Sequence, residues 1–217
     1  MVGYVHEELS SEEISRQEGL YGPLAQAVRE LADASIRTEV DDASVAAARE
    51  EIEAITARLR AQQLDGSYGI RFNSDGTGRP WGNAVVGLRN PVAPPLEIRR
   101  DPVGKAWADF RLGAAYEGPP GLVHGGVAAL VLDQLLGEAA GAGGKPGMTG
   151  TLTLRYRRGT PLGDLHGEAS IDRVEGIKTC AVGSISDAEG VTVEAEGVFI
   201  LPKWAREAME KQQERFE

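Results

Sequence analysis

Residues 117–137 read EGPPGLVHGGVAALVLDQLLG. A turn of Gly and Pro leads into His124, two glycines follow, and between Val127 and Leu136 the only polar side chains are Asp133 and Gln134. This pattern predicts a helix opened by His124 and running to about Gly141, where GAGGKPG (141–147) ends it with glycine. A helix apolar on nearly all sides has to be covered all round. A curved antiparallel sheet wrapped around one central helix does this simply, and the flanking sequence supplies the strands. Lys105–Leu112 alternates, with Ala106, Ala108, Phe110 and Leu112 on one face. After the helix, alternation predicts strands over 148–158, 164–174, 177–187 and 191–201, with VEGIK (174–178) and DAEGV (187–191) as hairpin-type connections. Strict alternation in the first of these puts Met148, Gly150, Leu152, Leu154 and Tyr156 on one face and Thr149, Thr151, Thr153 and Arg155 on the other. The expected fold class is α+β: an antiparallel sheet around one long helix.

Composition changes near residue 65. Upstream, Pro23–Ile36 places Leu24, Val28 and Leu31 at helical spacing, with Pro23 suited to a first turn. Asp41 and Asp42 suit the cap of a second helix over about 43–62, in which Val45, Ala48, Ile52, Ile55 and Leu59 recur at 3-4-3-4. So narrow a seam packs on another helix, and packing within its own domain or on the preceding helix is favoured over a dedicated dimer coil. Residues 65–95 are rich in loops, and KWAREAMEKQQERFE (203–217) reads as an exposed charged helix. The domains expected are a helical extension over 1–65, the α+β domain over 66–202 and the charged tail over 203–217.

The 217 residues carry 33 acids against 23 bases, a formal net charge of −10 that argues against nucleic acid and anionic membrane as partners. One cysteine, Cys180, excludes an internal disulfide framework and a multi-cysteine metal site. The N-terminal stretch has no basic-then-apolar secretory pattern, and no apolar run approaches the roughly 20 residues that span a bilayer. A soluble, cytoplasmic protein without membrane association is expected.

Asp133 carries the chemical question. A carboxylate buried without partners costs several kcal/mol, so in an apolar helix it either reaches solvent or an ion pair, or it is a partly desolvated general base or nucleophile. Gly125 and Gly126 open the helix with backbone N–H groups unshielded by side chains, at the positive end of its dipole. That is a donor set for an oxygen gaining negative charge. Steric relief between helix and sheet is the plainer reading of the two glycines, and a helix cap the plainer reading of His124. Asp133 lies nine residues beyond His124, roughly 13.5 Å along the axis and half a turn around it. One carbonyl cannot touch both, so a shared reaction requires a second copy of the helix related by a two-fold axis. The spacing therefore favours a homodimer with two composite sites.

Together, EGPPGLVHGGVAALVLDQLLG, MTGTLTLRYRRGTPL (148–162) and VEGIK resemble the hotdog-fold acyl-CoA thioesterases of the PaaI-like, THEM4-like branch, over about residues 83–202. The resemblance implies a helix wrapped in an antiparallel sheet, dimers joined through a continuous sheet and often tetramers. It also implies hydrolysis of an acyl-CoA substrate with no metal and no cofactor, coenzyme A being part of the substrate. By resemblance, Asp133 is the catalytic acid, Gly125 the residue whose N–H polarises the thioester carbonyl, Thr149 the hydroxyl that positions water, and His124 the motif histidine beside the carbonyl; Gly126 lines the substrate site. Many relatives carry an Asn six residues before the His, where this chain has Gly118, which leaves a second carbonyl contact unassigned. Arg157, Arg158 and Lys178 suit the phosphates of coenzyme A, or are solvated bases at strand edges.

Other chemistries fit less well. No G-x-S-x-G elbow occurs. GAGGKPG departs from a phosphate loop because Pro146 follows Lys145, and His6, His124 and His166 form no metal-ligand motif. An acyl-thioester hydratase or dehydratase on the same fold, and a non-catalytic acyl-CoA-binding or scaffold protein, remain as alternatives.

Overall fold

The computed structural model describes residues 4–94 and 96–203. They fall into two compact units that divide between residues 93 and 94. The charged tail expected beyond Lys203 lies outside the described residues.

The first unit contains β1 (Tyr4–His6), α1 (Ser11–Arg37), α2 (Asp42–Arg60), β2 (Ile70–Phe72) and β3 (Gly78–Arg79). Ser10 caps α1, its hydroxyl accepting the Glu13 N–H at 3.1 Å, and Glu12 and Glu13 complement the dipole in the first turn. With that start in place, Pro23 lies inside the helix and not in its first turn. The helix forgoes one hydrogen bond, to the Gly19 carbonyl, and continues. Asp41 caps α2 by accepting the Ser44 N–H at 2.8 Å. The seam along α2 does not pack as expected: α2 buries no residue, and α1 buries only Ala25.

The compositional break near residue 65 falls inside this unit because β2 pairs parallel to β1 and antiparallel to β3. Polar contacts hold that small sheet. The buried Arg79 guanidinium donates to Asn73 Oδ1 at 2.5 Å and to the Glu7 carbonyl at 2.6 Å, and Arg71 pairs with Glu7 at 2.6 Å. Arg89 lies over the Tyr21 ring, 3.5 Å from its centroid, and ties α1 to the loop near Trp81.

The second unit contains β4 (Arg99–Asp101), β5 (Lys105–Leu112), α3 (Gly125–Ala142), β6 (Met148–Tyr156), β7 (Gly163–Glu175), β8 (Lys178–Asp187) and β9 (Gly190–Ile200). The strands form one sheet in the order β4-β5-β7-β8-β9-β6, with every neighbouring pair antiparallel. Helix α3 lies on this sheet and buries Ala128, Val131, Leu132, Leu135, Leu136, Ala139 and Ala140. Gly167 of β7 lets the Leu135 side chain approach; a Cβ there would lie 2.6 Å from Leu135 Cδ1. The helix ends in a Schellman motif, with Gly144 at φ +71° and the Lys145 N–H reaching back to the Ala140 carbonyl at 2.9 Å.

Within the chain the sheet covers one side of α3 rather than all of it. Gly126 and Leu130 are exposed, and Asp133, Gln134 and Gly137 are half-buried on the same open strip. Strand β6 is an edge of the sheet, and apart from half-buried Leu152 and Leu154 its residues are exposed.

Candidate active site

The chain enters α3 through a closed loop. Pro119, Pro120, Gly121 and Leu122 make a turn in which the Leu122 N–H donates to the Pro119 carbonyl at 2.9 Å. Gly121 holds φ +73° at the third position, the geometry of a type II turn with Pro before Gly. The Glu117 carboxylate accepts the Gly121 N–H at 2.7 Å. The His124 N–H donates to the Tyr116 carbonyl at 2.9 Å and the Val123 N–H to the Thr160 carbonyl at 2.8 Å. Thr160 is buried and donates to Thr192 Oγ1 at 2.8 Å, so the start of α3 is fixed to the core of the sheet. Gly118 lies against His124, and a Cβ there would be 2.7 Å from His124 Cα. The position that carries Asn in many relatives thus has no room for a side chain unless the loop shifts.

His124 is the N-cap of α3, and its Nδ1 accepts the Gly126 N–H at 3.0 Å. Of the two glycine amides, Gly126 is therefore engaged by the cap. The Gly125 N–H donates to no protein acceptor among the described residues. Tyr156, which the sequence places on one face of its strand and within the motif stretch 148–162, donates its hydroxyl to the Gly125 carbonyl at 2.9 Å. A Cβ on Gly125 would stand 3.2 Å from that hydroxyl. The spacing carries the signal for this contact: Tyr156 is on the helix-facing side of the strand that directly follows α3 in sequence.

Eight residues beyond Gly125, about 12 Å along the helix, Thr149 Oγ1 donates to Asp133 Oδ1 at 2.7 Å. Strict alternation places Thr149 on the opposite face from Leu152 and Tyr156, but the strand carries a bulge. Thr149 pairs with Phe199 and Thr151 with Val198, leaving Gly150 unpaired in the ladder. Phe199, Gly197, Ala195 and Val193 are buried beneath α3. Thr149 shares their face together with Leu152, Leu154 and Tyr156. The extra residue turns the hydroxyl toward Asp133, and Met148 takes the outer face instead.

The basic candidates have different surroundings. Arg157 contacts Glu194 at 2.6 Å. Arg158 makes a two-pronged pair with Asp187 and also donates to the Gly190 carbonyl at 2.9 Å. This guanidinium holds the Asp187 carboxyl down at about 2. Lys178, at the start of β8, is exposed and has no ion-pair partner among the described residues. Among those residues, no three or more His, Cys, Asp or Glu side chains converge as a metal-ligand group, and no helix is long and apolar enough to cross a membrane.

An antiparallel sheet packed on one long helix, with an acid midway along that helix and a capped Gly-Gly at its start, defines a hotdog protein of the thioesterase type. A crystal structure of a thioesterase superfamily protein is 34% identical to this chain and superposes with a TM-score of 0.74, covering 83% of this chain and 94% of its own. The chain belongs to the thioesterase superfamily. That share exceeds what the second unit alone supplies, so the likeness extends into the N-terminal unit, beyond the stretch over which the sequence motifs carry it. The chain is also 35% identical over 95 residues to acyl-coenzyme A thioesterase THEM4 of Bos taurus, covering 42% of this chain and 38% of that protein. It is 35% identical over 97 residues to the THEM4 of Xenopus laevis, covering 42% of each. The match thus spans about two-fifths of the curated relatives' length. No family model matches the chain.

Proposed function

We propose that this protein hydrolyses acyl-CoA thioesters at a site assembled from two copies of α3. The observation that carries the reading is the Thr149–Asp133 hydrogen bond of 2.7 Å. It engages one carboxylate oxygen, and the other has no protein donor among the described residues. That second oxygen is positioned to take a proton from water, or to attack carbon itself.

In the water route, Asp133 removes a proton from a water held with Thr149, and the hydroxide adds to the thioester carbon. The carbonyl oxygen takes the negative charge and is met by the Gly125 N–H of the second copy, at the positive end of its helix. Collapse breaks the carbon–sulfur bond. The coenzyme A thiolate leaves and takes up the proton, and the free acid remains. In the direct route, Asp133 adds to the carbon, expels the thiolate and forms an anhydride that water then opens. A thioester is electrophilic enough for either route to proceed without a Ser-His-Asp system. Tyr156 holds the Gly125 carbonyl, in the peptide unit next to the one that carries the Gly125 N–H, and Lys178 is the base of the three candidates left uncommitted for the phosphates of coenzyme A.

The primary test is a panel of acyl-CoA thioesters with free-thiol detection. Asp133→Asn should lower kcat/KM by about 10²–10⁴-fold with an unchanged circular dichroism spectrum; equal turnover by the variant sinks the assignment. If no acyl-CoA is turned over but one binds, the protein is an acyl-CoA-binding member of the fold. The composite site has its own test. Proline is tolerated at the first helical position, so Gly125→Pro removes the one N–H and keeps α3. Co-expressed Asp133→Asn and Gly125→Pro chains should recover activity that neither has alone, because a mixed dimer holds one intact site.

A further inference from the structure

Helix α2 is built to be covered, and nothing within its own unit buries any of its residues. Val45, Ile55 and Leu59 are each about half exposed, at 48%, 47% and 49%. No residue of the helix is buried. An isolated helix of this length is marginal in water, so a seam of five apolar residues along one side indicates a partner helix. Helix α1 does not bury it: Leu59 shares an open cleft with Leu24 and Val28 of α1, and all three stay exposed.

The seam identifies its partner by symmetry. Ile52 is central, with Val45 seven residues before it and Leu59 seven after, and Ala48 and Ile55 four before and three after. Reversed end for end, the pattern nearly superposes on itself, as a contact across a two-fold axis requires. The charges at the two ends set the direction. Asp41 and Asp42 mark the N-terminal end of α2 and Arg58 and Arg60 its last turn. Parallel pairing would set acid beside acid and base beside base; antiparallel pairing sets each acidic end beside a basic one and opposes the two helix dipoles. We propose that α2 pairs antiparallel with α2 of a second copy of this chain, about an axis passing near Ile52. The contact belongs to the N-terminal unit and does not depend on the composite thioesterase site.

Cross-linking of the full-length protein tests both partner and direction. The natural Cys180 is buried, so unmodified protein serves as the control for an Ile52→Cys variant treated with a short bis-maleimide. Linked dimer is expected in high yield from Ile52→Cys and none from the control. Val45→Cys and Leu59→Cys, co-expressed, should link to each other while neither links to itself. Failure of Ile52→Cys to link overturns the proposal, and so does a Val45→Cys product as abundant as the mixed one, which would mean parallel pairing. Hydrogen exchange supplies a second measurement without cysteine. Amides 45–59 should exchange slowly in the unmodified protein and rapidly in Ile52→Asp, with α3 unaffected. Rapid exchange in the unmodified protein would show an uncovered helix and end the idea. No readout uses turnover, so these results stand apart from the success or failure of the thioesterase reading.

Discussion

Helices α2 and α3 have 19 and 18 residues, and each is capped by the side chain just before it, Asp41 in one case and His124 in the other. Yet α3 buries seven residues and α2 none. Caps and periodicity decide where a helix forms; the surface it meets decides what each residue on it means. On α3, which lies against six strands, the unusual residue is a polar one, Asp133. On α2, which buries none of its residues in its own unit, the unusual residues are apolar. The same hydropathy logic therefore points to chemistry in one helix and to a contact in the other.

The largest effect expected from breaking this contrast is in the core of α3. Leu135 is fully buried, and Leu135→Ala should cost about 2–5 kcal/mol in denaturant unfolding, because the sheet on its far side cannot collapse into the space. Next comes Tyr156→Phe, which deletes the bond to the Gly125 carbonyl. A loss of about 1 kcal/mol is expected, together with faster exchange of the first amides of α3. Smaller in global terms is Asp41→Ala. It should cost about 1 kcal/mol of helix stability, read as lower helicity over 42–60 with the unfolding midpoint of the second unit unmoved.

The smallest effect is a dependence on pH. Arg158 depresses the Asp187 carboxyl from an ordinary 3.8 to about 2 in the folded protein. A depressed acid contributes stability that is complete above its unfolded value and disappears as pH falls through its folded one. Protection of the β8–β9 turn should therefore hold down to about pH 4 and decline between there and pH 2. Asp187→Asn should begin at the lower level and show no such decline.

Much of this architecture can be read in the chain. His124 as the start of α3, the bounds of β5, four strands after the helix and the placement of Asp133 all follow from periodicity and glycine. What escaped depended on tertiary register. Strands β1 to β4 are two or three residues long, too short for alternation to register. Pro23 reads locally as a helix start because the stronger cap at Ser10 lies thirteen residues upstream. The carboxylates opposite Arg157 and Arg158 are 37 and 29 residues away, and only the pairing of strands reveals them. Thr149 stands out only through a family resemblance, since simple alternation puts it on the face away from α3.

That last case turns on Gly150. Period-two geometry makes the face of every β6 side chain a matter of parity, and the unpaired glycine changes the count by one between Thr149 and the rest of the strand. Deleting this single residue would leave Thr149 and Thr151 as neighbours opposite Phe199 and Val198, a regular ladder that keeps the hydroxyl toward Asp133, whereas a strand of unchanged length without the bulge would set Gly150 opposite Phe199 and turn Thr149 outward. For natural variation or for engineering, what has to be kept is thus the pairing of position 149 with Phe199, and a change that straightens the strand at constant length disconnects the acid from its hydroxyl without touching either.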